Sequence, residues 1–254
     1  MAASLPNGAR RSFPSGGQEP GDAVLAERER ILAEYWRREQ ELAPDLYAPW
    51  QPSAALELAA RRRSSAAMLR RANLFPKAGD HCLEVGYGSI GWLGDLISWG
   101  VPARCLHGVE LNESRARHAQ EALPLADLRI GDAAELPFQD DTFRLVIAST
   151  VFTSILDATV RSLVAQQIVR VLAPGGALVW YDFAINNPRN PNVRKVDRRE
   201  LQQLFPQLKG EVRSVTLALP LARLVAPWSW TLATALEAIP LLRSHLLAVL
   251  VKSS

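Results

Sequence analysis

The stretch from Cys82 to Leu93, CLEVGYGSIGWL, decides the fold. A short apolar run carrying one acid, Glu84, meets glycines at 86, 88 and 91 and then a helix-compatible run. That pattern predicts a buried strand, a glycine-rich turn and a helix. Glycines let the backbone approach a ligand, and the first turn of the helix offers free N–H groups and its positive dipole end. Ile90 is the bulky residue among the glycines, and its side chain could crowd the ligand side of the turn.

Working outward, apolar strand candidates recur at 81–86, 105–110, 126–130, 145–149 and 177–182, with helical stretches near 90–99, 113–122 and 158–172. Nearly all-apolar strands alternating with helices argue for a parallel sheet covered on both faces. Residues 212–219 and 245–252 read as two more strands flanking a helical region at 219–242. The fold class expected is α/β: a doubly wound, mostly parallel, Rossmann-like sheet with an N-terminal helical extension. Residues 1–22 are rich in Gly, Pro and Ser and are expected to form a disordered leader; 23–76, with helices at 23–42 and 53–72, form the extension; 77–254 form the ligand-binding domain.

The 254 residues suffice for one large domain, and 48% hydrophobic with 22% charged residues is ordinary for a globular protein. A net charge of +3 points only weakly to nucleic acid. Cys82 and Cys105 read as buried thiols in a reducing compartment. No spacing typical of zinc ligands occurs, so no metal is expected. The N-terminus lacks the apolar core of a signal peptide, and the apolar stretch near 219–242 is broken by Arg223, Pro227, Glu237 and Pro240. These features predict a cytoplasmic protein without a membrane span.

In such a sheet, ligands bind beyond the carboxyl ends of the central strands, where strand order reverses. Glu110, at the tip of the second strand, could accept hydrogen bonds from ribose hydroxyls. Gly86-Tyr-Gly88-Ser-Ile-Gly91 formally satisfies G-x-G-x-x-G, and to this point a nicotinamide cofactor and S-adenosylmethionine both fit. Three features separate them: Glu84 two residues before the first glycine, Asp132 just after the third strand, and the helix–Pro-Gly-Gly–strand run VRVLAPGGALVWYDF.

Together these resemble the class I S-adenosylmethionine-dependent methyltransferases from about residue 77 onward, and the terminal strand pair resembles the end of that family's seven-stranded sheet. The resemblance implies that Gly86 and Gly88 line the methionine part of the cofactor, with Glu84 nearby. It further implies Glu110, beside Leu111, for the ribose; Asp132 and the Ala133 backbone for the adenine; and Ser149 and Thr150 near the methionine amino group. In the family the third glycine stands where this chain has Ile90.

For the methyl acceptor, Tyr181 and Asp182 end the fifth strand, and Asp182 is the first candidate for a base. Asn186, Asn187 and Arg189 follow on a loop stiffened by Pro188 and Pro191, suited to a polar or anionic small-molecule substrate. That loop and VFTSILD at 151–157 resemble a bacterial subset of small-molecule methyltransferases associated with glycan or natural-product biosynthesis, which implies a substrate class and no particular substrate. Tyr47 and Trp50, between the two N-terminal helices, could wall the acceptor site, and Trp228 and Trp230 could form a lid or a homodimer contact. The histidines read as structural. Arg61, Arg62 and Arg63 read as a solvated helix face rather than an RNA surface. The expected function is O-methylation of a small polar metabolite. The alternatives are a nicotinamide-dependent oxidoreductase, and a binding or scaffold protein whose cofactor site Ile90 blocks.

Overall fold

The structure is a computed structural model that describes residues 20–43, 45–188 and 190–253. It opens with two helices, α1 (Pro20–Glu41) and α2 (Pro52–Arg71). Of the expected leader, 1–19 lies outside the described residues, whereas 20–22 already belong to α1.

A seven-stranded sheet follows: β1 (Cys82–Val85), β2 (Leu106–Glu110), β3 (Asp127–Ile130), β4 (Phe143–Ser149), β5 (Leu172–Phe183), β6 (Leu208–Leu217) and β7 (Arg243–Lys252). Its order is β3-β2-β1-β4-β5-β7-β6. The first five strands are mutually parallel, and β7 runs antiparallel between β5 and β6. Chain order reverses between β1 and β4, which marks the carboxyl ends of those strands as the ligand edge. Because β7 is antiparallel, its first residues lie at that same edge.

The strands form where apolar runs are buried on both faces; β1 and residues 145–148 of β4 are buried throughout. One core layer, with Val146, Ala148 and Trp180, lies under α5 (Ala158–Val171). The other, with Leu145, Ile147 and Tyr181, lies under α2 and α3 (Leu93–Ser98). α4 (Glu113–Ala122) starts just past β2, its first turn capped by the Asn112 side chain. The Pro-Gly-Gly turn is absorbed into β5 as an irregularity, with Gly175 in the left-handed region at φ 70°.

Two sequence expectations change. A seven-residue helix, α6 (Arg198–Leu204), was not anticipated, although Asp197 and Glu200 carry the spacing of a helix cap and Asp197 does accept the Glu200 N–H. The region 219–242 is two helices, α7 (Leu219–Val225) and α8 (Trp230–Glu237), divided where Ser229 caps α8. No helix among the described residues is long and apolar enough to cross a membrane.

Candidate cofactor and acceptor site

Glu84 points into the protein rather than toward a ligand. Its carboxylate accepts the backbone N–H groups of Trp92, at 3.0 and 2.8 Å, and Leu93, at 3.0 Å, closing the start of α3. Burial pushes its pKa up to about 8, against the lowering effect of those N–H donors and of Arg61. Its acidity holds the glycine turn to the helix.

Gly86, Gly88 and Gly91 all have left-handed backbone, with φ of 69°, 60° and 54°. A side chain at Gly91 would run into the Glu84 carboxylate and the Tyr87 carbonyl. The third glycine therefore does its work at 91. Ile90 is half-buried against the second core layer, its Cγ2 lying 3.5 Å from where a Gly94 Cβ would be. It packs on α3.

Glu110, also buried, turns the β2 tip into a fixed acceptor pair. One oxygen takes the Gly88 N–H at 2.8 Å and the other takes the Asn112 N–H at 2.8 Å. Each carboxylate oxygen retains a second lone pair for a ligand hydroxyl. Leu111 follows it, half-buried. Asp132 is half-buried past β3; its Oδ1 accepts the Ala134 N–H at 2.8 Å, and Oδ2 accepts no protein hydrogen bond among the described residues. Ala133 is partly buried against the core. At the tip of β4, Ser149 is half-buried and Thr150 exposed. Thr150 has φ 56°, a costly conformation for a β-branched residue and one that concentrates at functional sites. Its N–H donates to the Tyr181 carbonyl at 2.7 Å. Gly86 keeps the β1 turn against this tip, since a Cβ there would lie 2.9 Å from Val151 Cγ2.

The two candidates for chemistry at β5 have other duties. Asp182 is fully buried and accepts the N–H groups of Thr153 and Phe183, both at 3.0 Å, which holds the turn at 152–154. Burial pushes its pKa up to about 7. Tyr181 points to the opposite core layer, where its hydroxyl meets Thr216 Oγ1 at 3.0 Å and donates to Glu57 at 3.2 Å. Its ring stacks on His245, centroids 4.7 Å apart. Both side chains are buried and engaged within the fold.

The 186–195 loop is tied within itself and to α1: Asn186 Oδ1 accepts the Lys195 N–H, the Asn187 carbonyl accepts the Asn190 N–H, Asn190 Oδ1 accepts the Asn192 N–H, and Asn192 Nδ2 donates to Glu34. Arg189 lies outside the described residues. Tyr47 is half-exposed, with the Arg38 and Arg223 guanidiniums each 5.7 Å from its ring centroid, while Trp50 is 75% exposed. Trp228 is 89% exposed.

Residues that sequence reasoning missed come from α1. It crosses the ligand edge, with Arg30 donating to the Ser154 carbonyl and Glu27 accepting the Leu156 N–H. Burial, and next the Glu110 carboxylate, push the Tyr35 phenol above its usual pKa. The Arg115 guanidinium lies 4.5 Å from its ring centroid. An apolar stripe in the sequence reports that a helix packs and not what it covers. The arginines of α2 are paired as well: Arg61 and Arg62 both reach the buried Asp95 and Arg63 reaches Glu237, while Arg62 and Arg63 stay exposed, in keeping with the solvated face read from the sequence.

Comparison with known proteins agrees with this geometry. Residues 82–176 match the family model described as a methyltransferase domain. A Mycolicibacterium smegmatis protein described as a "Probable S-adenosylmethionine-dependent methyltransferase" is 29% identical over 143 residues, 53% of each chain. The chain therefore spans about half the length of that curated relative. Geranyl diphosphate C-methyltransferase from Streptomyces coelicolor A3(2), solved with S-adenosyl-L-homocysteine, superposes with a TM-score of 0.60 over 89% of this chain and 98% of its own, at 17% identity. The cyclase SpnF superposes with a TM-score of 0.55 over 76% of this chain and 80% of its own, at 16% identity. At such identities these two likenesses establish the fold alone. Residues 82–176 are thus similar to a methyltransferase domain, and the sheet order places their glycine turn at the ligand edge of a doubly wound fold.

Proposed function

We propose that the protein transfers the methyl group of S-adenosylmethionine to an oxygen of a small polar metabolite, in the cytoplasm and in a natural-product or glycan pathway. The observation that carries the cofactor assignment is the Glu110 carboxylate, fixed by the Gly88 and Asn112 N–H groups beside three left-handed glycines. S-adenosylmethionine supplies an electrophilic methyl group on a sulfonium. Glu110 would accept the ribose hydroxyls, the free Oδ2 of Asp132 would accept an adenine N–H with the Ala133 backbone alongside, and Gly86, Gly88, Ser149 and Thr150 would line the amino-acid end. An in-line displacement gains much of its rate from holding acceptor and methyl group in line, and an acceptor oxygen already ionised needs no base. The engagement of Asp182 elsewhere favours an acceptor of that kind.

Calorimetric titration with S-adenosylhomocysteine, with NAD as control, tests the reading. Binding of the first alone supports it; binding of NAD instead would restore the oxidoreductase alternative. The scaffold alternative depended on Ile90 blocking the site, and Ile90 packs on α3. A homodimer through Trp228 and Trp230 is a further proposal, supported by their exposure and checked by sedimentation of Trp228→Ser against the parent chain.

A further inference from the structure

Six large apolar side chains stand exposed between positions 224 and 241: Leu224, Trp228, Trp230, Leu232, Ile239 and Leu241. α7 and α8 turn Ala222, Ala226 and Ala233 onto a small cluster with Leu56 and Leu217, so the residues on their other sides face away from the protein. Trp228 and Leu241 are 89% and 91% exposed and project with almost no packing of their own. Single exposed apolar residues are ordinary, but this many in one short connection mark a contact surface. Its charges are few. Residues 218–242 carry only Arg223 and Glu237. Glu237 is buried and meets Arg63 at 3.3 Å, while Arg63 itself stays exposed. Arg223 is exposed beside the Tyr47 ring and forms no ion pair among the described residues. The connection thus presents apolar side chains, one cation and no exposed carboxylate.

We propose that this connection seats the protein on the surface of a lipid bilayer. A bilayer interface takes in projecting side chains without a preformed pocket, and indole rings favour its headgroup level. Arg223 and Arg63 at the border would meet lipid phosphates. α7 and α8 are seven and eight residues long, far short of the about twenty needed to cross, so the segment lies in the surface. The homodimer proposed through Trp228 and Trp230 competes for the same side chains, and charge disfavours it. Two-fold pairing would bring Arg223 of both copies toward one apolar interface, where the connection offers neither an exposed carboxylate. The connection joins the end of β6 to the start of β7, both at the ligand edge, so a bilayer seated there lies at the sheet edge that carries the glycine turn.

The full chain is floated on a density gradient with vesicles of phosphatidylcholine alone and of phosphatidylcholine with phosphatidylglycerol in equal parts. It rises with both, more strongly with the second, and brominated lipid in the bilayer quenches its tryptophan emission. Trp228→Ser combined with Leu241→Ser weakens binding to the mixed vesicles about tenfold or more and leaves thermal unfolding unchanged, because both side chains are almost wholly exposed. Arg223→Glu removes the preference for the anionic vesicles and keeps the weaker binding. A parent chain that floats with neither vesicle, or a double variant that floats as well as the parent, would overturn the proposal. So would a parent chain that sediments as a dimer, becomes a monomer in Trp228→Ser and ignores vesicles, because the surface would then belong to a second copy. No cofactor or acceptor enters the measurement, so its failure leaves the methyl-transfer reading standing.

Discussion

Gly91 and Glu84 are fitted to one another. A Cβ on Gly91 would stand 2.8 Å from Glu84 Cδ and 2.6 Å from the Tyr87 carbonyl, while the same carboxylate holds the first turn of α3. Gly91→Ala should therefore cost about 2–4 kcal/mol, combining the left-handed backbone penalty with displacement of a buried carboxylate. Thermal unfolding would register this as a fall of several degrees, with loss of S-adenosylhomocysteine binding. Ile90→Gly should behave differently. It removes half-buried packing and adds backbone freedom, lowering stability by about 1–2 kcal/mol without tightening the cofactor. A gain in affinity in that variant would mean that Ile90 faces the ligand after all.

Glu110→Ala removes the acceptor pair at the β2 tip and strands the Gly88 and Asn112 N–H groups. S-adenosylhomocysteine affinity should drop about a hundredfold, roughly 2.7 kcal/mol, with a stability loss of about 1–3 kcal/mol. Calorimetry and denaturant unfolding measure the two separately. Unchanged affinity in a folded protein would remove Glu110 from the site.

Tyr181→Phe should leave turnover within about threefold and cost about 1–2 kcal/mol, because the hydroxyl serves Thr216 and Glu57 inside the core. A loss of turnover of a hundredfold or more at full cofactor binding would return Tyr181 to the catalytic group.

Asp182 gives a pH signature. Its folded pKa of about 7 lies above the ordinary 3.8, so between those values the folded chain holds a proton that the unfolded chain has released. The contribution of Asp182 to stability is therefore present at low pH and declines as pH rises from about 4 to about 7. Denaturant unfolding of the parent chain and of Asp182→Asn should show their difference shifting against the parent across that window. Glu84 and His245, shifted in opposite directions, are common to both proteins and cancel in the difference. A flat difference would place an ionised Asp182 in the fold at all these pH values.

The strands were legible because burial on both faces leaves apolar runs, and each expected strand lies within a few residues of an observed one except at the start of β5, where the Pro-Gly-Gly turn is taken into the ladder. The glycine turn and Glu110 were legible because left-handed backbone and a carboxylate at a strand tip have residue signatures. The partners of Glu84, Tyr181 and Asp182 were not legible, because position at a strand end does not say which face a side chain takes or whether a backbone N–H has already claimed it. Arg30 and Tyr35 were invisible because their partners lie far along the chain, with Arg30 and Ser154 separated by 124 positions. Histidine 245 shows the same limit. Only the antiparallel direction of β7 brings it to the ligand edge, and there its Nε2 has no partner.

The strapping of α1 across the sheet also bears on how the chain is made. Glu27 precedes Leu156 by 129 positions, and α5, on which Val24 and Ile31 rest, is translated later than either. On the ribosome the first helix emerges with its apolar side exposed and must wait for more than a hundred further residues before its seat exists. Contacts so distant in sequence form slowly. Docking of α1 therefore has to follow the synthesis of α5, and its apolar side stays uncovered until then.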